Sequence, residues 1–89
     1  MQLSGLPGGD LVEKGLRDLS KGRETAEALL VAIGAPRLGR LGFDAPTLES
    51  PEHRLYELLA RDDPDDAHAR YNALIRRLVS FERAAECVA

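Results

Sequence analysis

Histidine, cysteine and acidic side chains can bind a metal ion, and His53 with Glu57 is one pair of them that has a suitable spacing. His53 and Glu57 are four residues apart on a predicted helix, which can place both side chains on one zinc ion. A structural zinc site needs four nitrogen or sulfur ligands, and a catalytic site needs three plus a water. His68 and Cys87, the other histidine and the single cysteine, do not complete either set. We therefore expect neither a metal site nor a cofactor.

Four aspartates surround Pro64, and such a cluster can hold a divalent cation. An EF-hand loop requires a glycine in its middle and a distal glutamate, and residues 62–75 contain neither. Helix initiation explains the same residues, because Asp63 can cap a helix and Pro64 suits its first position. Acids in the first turn also stabilise the positive end of the helix dipole. The sequence therefore predicts a helix start here rather than a cation site.

No serine or cysteine is accompanied by an identifiable general base, so nucleophilic catalysis is not indicated. Cys87 lies near the predicted end of the last helix, where its acidic neighbour Glu86 does not activate a thiol. Arg61 and His68 match a loose Arg…His pattern found in some small helical ribonucleases, although an arginine-rich chain often matches it by chance. We predict that the protein is not an enzyme. A helical enzyme built around His68 is the weakest of three hypotheses.

Residues 24–42 have the order of a helix-turn-helix, the DNA-binding motif whose second helix enters the major groove. A turn at Gly34 separates two predicted helices, and the second carries Arg37 and Arg40. That second helix is short, and Gly39 weakens it by roughly 1 kcal/mol relative to alanine. A net charge of −3 also leaves no surplus of positive charge to attract phosphates. A small DNA-binding regulator that uses Arg37 and Arg40 is thus the alternative function, and we expect no tight binding of nucleic acid.

The elements that would position these residues are all predicted to be helices. Apolar residues recur every three or four positions over residues 64–87, which is the spacing of one helix face, and Ile75 widens that face. The residues on this face are Ala67, Tyr71, Leu74, Leu78, Phe81, Ala85 and Val88. No Gly or Pro follows Pro64, so the pattern predicts one long C-terminal helix that forms the spine of the domain.

Four other helices are predicted before it. Asp10 can cap the first, a glycine follows each of the first three, and Ser50 with Pro51 can start the fourth. The second helix is apolar nearly all round, which is typical of a helix in the middle of a core. The predicted bounds are residues 10–20, 23–33, 36–41 and 51–61. We therefore predict an all-α fold, a compact bundle of four longer helices plus one short helix.

The length of 89 residues indicates one domain. We assign residues 10–89 to a single helical domain and residues 1–9, which contain glycine and proline, to a flexible N-terminal segment. One cysteine excludes an internal disulfide, no apolar stretch is long enough to cross a bilayer, and the first residues do not resemble a secretion signal. We therefore expect a cytoplasmic protein with no membrane association.

The apolar face of the long C-terminal helix needs cover along its whole length. The preceding helices can cover its first half. Its second half has no obvious cover from a neighbour in sequence. The alternative is that the first two helices also cover that half, which would give a monomer. We predict a non-catalytic helical interaction module that self-associates as a two-fold homodimer through this helix, with Arg77 and Glu82 able to pair across the seam. The predicted interface comprises Leu74, Arg77, Leu78, Phe81, Glu82 and Ala85.

Overall fold

Helices are the only regular secondary structure in the part of the chain that the structure describes. This computed structural model describes residues 5–88, and its elements are α1 (Gly9–Ser20), α2 (Ala26–Ile33), α3 (Ala35–Arg40), α4 (Pro51–Asp62) and α5 (Ala67–Val88). No strand occurs in this range, and none of its helices combines the length and the apolar character that crossing a membrane requires. The predicted all-α class and the long C-terminal helix are confirmed. Residues 1–4 of the predicted flexible segment lie outside the described range.

α2 lies at the centre of the core, as its composition predicts. Its residues 28–32 are all buried, and Leu30 and Val31 have no exposed surface. It packs against α1, α4 and α5, so its apolar side chains meet neighbours on several sides. The other large, fully buried side chains come from the surrounding helices and are Val12, Leu38, Leu55, Leu59 and Phe81.

α1 and α2 approach each other closely because Gly15 has no side chain. A Cβ at this position would collide with the backbone oxygen of Glu27 and with the side chain of Val31. The connection between the two helices returns to the end of α1, where the amide of Arg23 donates a hydrogen bond of 2.8 Å to the backbone oxygen of Asp18. The two helices therefore form one tightly packed unit.

Two predicted helix starts are nearly right in position and wrong in their caps. α1 begins after Gly8, which has a left-handed backbone (φ 72°) that favours glycine. Asp10 consequently lies in the first turn of α1 and does not cap it. Pro51 begins α4 as predicted, but Ser50 has φ 49° and its side chain makes no cap hydrogen bond.

Two further helix starts differ in position. α2 begins immediately after Thr25, whose hydroxyl accepts a hydrogen bond of 3.2 Å from the amide of Ala28. α5 begins at Ala67, later than predicted. Before it, the carboxylate of Asp63 accepts a hydrogen bond of 3.1 Å from the amide of Asp65, so these residues form a turn instead of the first helical turn.

Candidate functional site

Four of the six residues predicted to form an interface are buried inside the chain itself. The exposed fraction is 4% or less for Leu78, Phe81, Glu82 and Ala85. Phe81 packs against Phe43 from the connection between α3 and α4, with ring centroids 5.6 Å apart. These four side chains are therefore covered within the chain, a possibility that the sequence left open, and they leave little surface for an interface.

The other two predicted interface residues, Leu74 and Arg77, also have neighbours within the chain. Arg77 Nη2 lies 3.1 Å from Asp10 Oδ1, which joins α5 to the first turn of α1. Leu74 is half-buried and lines a shallow groove together with Leu59 of α4. Arg77 therefore has an ion-pair partner other than Glu82, with which it was predicted to pair across a seam.

A groove between α3 and α5 leaves apolar side chains accessible at the surface. We call it the α3–α5 groove, and its volume is about 270 Å³. Typical pockets for whole ligands measure about 300–1,000 Å³, so this groove suits a few side chains of a partner better than a cofactor. Pro36 is exposed and Leu78 is buried, whereas the other three apolar residues are half-buried. The apolar lining consists of Ile33, Pro36, Ile75, Leu78 and Val79.

Glu82 also lines the α3–α5 groove, as a carboxylate that is only 4% exposed. Arg37 Nη1 lies 3.5 Å from Glu82 Oε1, longer than the distance of about 2.7–2.9 Å typical of a hydrogen bond between charged groups. Burial raises the pKa of Glu82, the positive charge of Arg37 opposes that increase, and the negative charge of Glu86 adds to it. The groove thus contains an acid that its cationic neighbour compensates only in part.

Arg37 connects α3 to the last turn of α5. Its Nη2 lies 2.6 Å from Glu86 Oε1, and its Nε donates a hydrogen bond of 2.8 Å to the same oxygen. Because Glu86 and Glu82 share this guanidinium, Arg37 is not free to hydrogen-bond to DNA bases. Arg40 is the other arginine assigned to the alternative DNA-binding function. It is exposed and forms no ion pair with any residue between 5 and 88.

Three exposed arginines lie in or next to the α3–α5 groove. Arg40 lines its α3 side. Arg76 lies three residues before Val79 and Arg83 four residues after it, so both are surface neighbours of Val79 on α5. We call Arg40, Arg76 and Arg83 the groove arginines, and none of them forms an ion pair with another described residue. This side of the molecule therefore carries a local positive charge, although the net charge of the chain is −3.

Residues with metal-binding chemistry are not gathered into a site. Within the described residues, no group of three or more His, Cys, Asp or Glu side chains is placed to hold a metal ion. His53 contacts Glu57, as their spacing predicts, but no third ligand lies beside them in this part of the chain. Of the four aspartates around Pro64, Asp62 pairs with Arg70 at 2.7 Å. Asp63 takes part in the turn before α5, where its carboxylate accepts a hydrogen bond from the amide of Asp65.

A second buried acid, Asp18, belongs to a polar cluster at the junction of α1 and α2. Its carboxylate accepts hydrogen bonds from Lys14 Nζ at 2.7 Å and from the hydroxyl of Thr25 at 2.6 Å. The bond from Lys14 and then the bond from Thr25 lower the pKa of Asp18. Since Asp18 has partners within the chain and Thr25 also caps α2, the cluster stabilises the junction. The sequence signal that was missed is an acid near the end of one predicted helix, Asp18, followed by a threonine near the start of the next, Thr25.

Comparison with protein-family models, with curated proteins and with solved structures gives no match for this chain. The function is therefore proposed from the geometry of the described residues, and the α3–α5 groove is the surface on which the proposal is based. The sequence indicated that Ile75 borders the apolar face of the last helix. It did not indicate that Val79 and α3 complete a groove with it, because that depends on how α3 packs against α5.

Proposed function

We propose that this chain is a non-catalytic helical interaction module that uses the α3–α5 groove as its docking surface. The proposal rests on one observation: Ile75 and Val79 lie one turn apart on α5 and remain partly accessible beside exposed arginines. An amphipathic partner helix lays its apolar face into an accessible apolar groove of this kind. Exposed charges around them favour one orientation of that partner.

Self-association remains a prediction, and the α3–α5 groove is the accessible surface of α5 through which two copies would meet. An antiparallel, two-fold contact of two α5 helices about Val79 would bring Arg76 of one copy towards Arg83 of the other. Like charges on neighbouring helices repel each other, so this symmetric arrangement is disfavoured. The charge pattern therefore supports a partner other than a second copy of this chain.

A small DNA-binding regulator is the second candidate, and the groove arginines are the observation in its favour. They place three positive charges on one side of the molecule, next to the second helix of the helix-turn-helix order. Against this candidate, Arg37 is held by Glu86, and α3 is only 6 residues long. The accessible apolar side chains also have no role in phosphate binding, so the interaction module accounts for more of the surface.

A photo-crosslinking amino acid in place of Val79 tests the docking surface in cells that produce the protein. We expect an ultraviolet-dependent adduct with one discrete protein from position 79. The same amino acid in place of Tyr56, which is 39% exposed on α4, is the control and should give no such adduct. An adduct of twice the chain mass would identify self-association, and an adduct with nucleic acid would favour the second candidate. No adduct, or equal adducts at both positions, would contradict the proposal.

A further inference from the structure

We propose that the occupant of the α3–α5 groove is an acidic amphipathic helix of another protein. This inference rests on the proposed function, because it requires the groove to be a docking surface. The partner helix places apolar side chains against Ile75 and Val79 and carboxylates against the groove arginines. Spacing, unmatched charge and the apolar lining each support this occupant.

The arginines of α5 have a spacing that a second helix can match. Arg76 and Arg83 are seven residues apart, which is two turns, or about 10.5 Å along the helix axis. Carboxylates seven residues apart on a partner helix have the same separation. When the two helices lie side by side, both carboxylates can therefore reach a guanidinium. Arg40 on α3 provides a third positive charge at the other border of the groove.

The groove arginines are not neutralised by the described part of the chain. Glu82, which lines the groove, and Glu86 both interact with Arg37. Exposed guanidiniums beside apolar surface attract carboxylates more strongly once an approaching partner excludes water. An acidic helix therefore meets three unmatched positive charges, whereas a basic helix is repelled by the same three.

The apolar lining distinguishes a helix from a polyanion such as nucleic acid. Ile33 and Pro36 come from the α2–α3 side of the groove, and Ile75 and Val79 come from α5. Leucine or methionine side chains at positions i and i+4 of an amphipathic helix can fill a volume of about 270 Å³. Sugars and phosphates bury no comparable apolar surface, so they leave this part of the groove unused.

Titration with two synthetic helical peptides tests the occupant. The first peptide has leucines at i and i+4 on one face and glutamates seven residues apart beside them. The second is identical except that every glutamate is a lysine. We expect the glutamate peptide to bind and to shift the amide NMR signals of Ile75 and Val79. The lysine peptide should bind about tenfold more weakly, because like charges then meet across the contact. Equal affinities, or no binding of either peptide at low salt, would overturn the proposal.

Charge-matched variants show whether binding takes place in the groove. Arg76→Glu and Arg83→Glu should each weaken binding of the glutamate peptide about three- to tenfold, since each replaces an attraction by a repulsion. Arg17→Glu makes the same change in net charge on the exposed surface of α1 and should alter the affinity less than about twofold. Circular dichroism establishes that each variant remains helical. Equal weakening by Arg17→Glu would overturn the proposal.

The crosslinking experiment and the peptide titration together separate this inference from the proposed function on which it rests. A protein adduct at position 79 without any preference for the glutamate peptide would retain the docking surface and overturn the acidic occupant. Tighter binding of a DNA duplex than of the glutamate peptide, lost on Arg40→Glu, would overturn it in favour of nucleic acid. Failure of the crosslinking experiment removes the docking surface itself, and with it this inference.

Discussion

Arg37 Nη2 lies 2.6 Å from Glu86 Oε1, and this pair joins the short helix α3 to the last turn of α5. The two residues are 49 positions apart in the sequence. The same guanidinium lies 3.5 Å from Glu82, so one arginine serves two carboxylates. They depend on it to different degrees, because the side chain of Glu86 is 48% exposed to water and that of Glu82 only 6%.

Removal of Arg37 should destabilise the fold more than removal of Glu86. Arg37→Ala leaves Glu82 buried without a cation, and we expect the free energy of unfolding to fall by about 1–3 kcal/mol. Glu86→Ala removes a partly exposed ion pair, for which about 0–1 kcal/mol is typical. Urea unfolding measures both losses, and Glu82→Gln added to Arg37→Ala should recover part of the first. Equal losses in the two single variants would show that Glu82 does not depend on Arg37.

Glu82 should reduce the stability of the protein as pH rises. Burial raises its pKa in the folded chain, so the folded chain binds the proton more tightly than the unfolded chain does. Its favourable contribution is therefore complete below the ordinary value of 4.5 and is lost as pH rises through the folded pKa. Glu82→Gln stays neutral at every pH and should remove this loss. Unfolding free energies across a pH series measure it, and parallel curves for both proteins would contradict the prediction.

Asp18 should have the opposite effect at low pH. The hydrogen bond from Lys14, followed by the one from Thr25, lowers the pKa of Asp18 in the folded chain. Its contribution is present above the ordinary value of 3.8 and is lost as pH falls through the folded pKa. Asp18→Asn should reduce stability at neutral pH and flatten the acid limb of the stability curve. A variant with an unchanged acid limb would show that other carboxyl groups determine it.

Two glycine substitutions should change stability in opposite directions. Gly15→Ala forces α1 and α2 apart, and overpacking of this kind costs about 1–3 kcal/mol. Gly39→Ala is the matched control, because nothing lies within 4 Å of the added Cβ. Alanine is favoured over glycine inside a helix by about 0.5–1 kcal/mol, so this variant should be more stable. Thermal unfolding measures both effects, and a higher Tm for Gly15→Ala would show that the helices do not approach so closely.

Phe81→Ala should destabilise the fold rather than dissociate an assembly. Phe81 has no exposed surface and packs against Phe43, so the substitution leaves a cavity that costs about 3–5 kcal/mol. Val79→Ala is the control on the same helix and should cost less, because Val79 is half-exposed. Light scattering and circular dichroism on the same samples separate mass from folding. A Phe81→Ala variant whose mass is halved while its stability is unchanged would show that this face of α5 is an interface between two copies.

The helices themselves could be predicted because their signals act over a few residues. Gly34 ends α2 and Pro51 begins α4 as the sequence indicates, and the mostly apolar composition of α2 correctly places it in the core. The caps were less predictable, because the backbone around a cap also depends on the preceding chain. Ser50 is the example: the connection from α3 arrives with φ 49°, and the serine side chain then makes no cap hydrogen bond.

Contacts between distant segments could not be predicted. Phe43 lies in a connection without any periodic pattern, yet it packs against Phe81, which the sequence left without cover. The pair of Arg37 with Glu86 likewise joins residues that no local signal relates. The α3–α5 groove results from the same long-range packing, so its residues could be assigned to helices but not to a common site.

The packing of the first turn of α1 against the middle of α5 has a consequence for synthesis on the ribosome. The backbone of Gly8 lies against Arg77 and Phe81, and Asp10 pairs with Arg77. The first and last helices of the described chain are therefore packed together. Elongation at about 5–20 residues per second means that α1 waits some seconds for α5 to emerge. During that interval Leu30 and Val31 have no complete cover. We expect nascent chains that end before α5 to bind chaperones and to be cut readily by proteases.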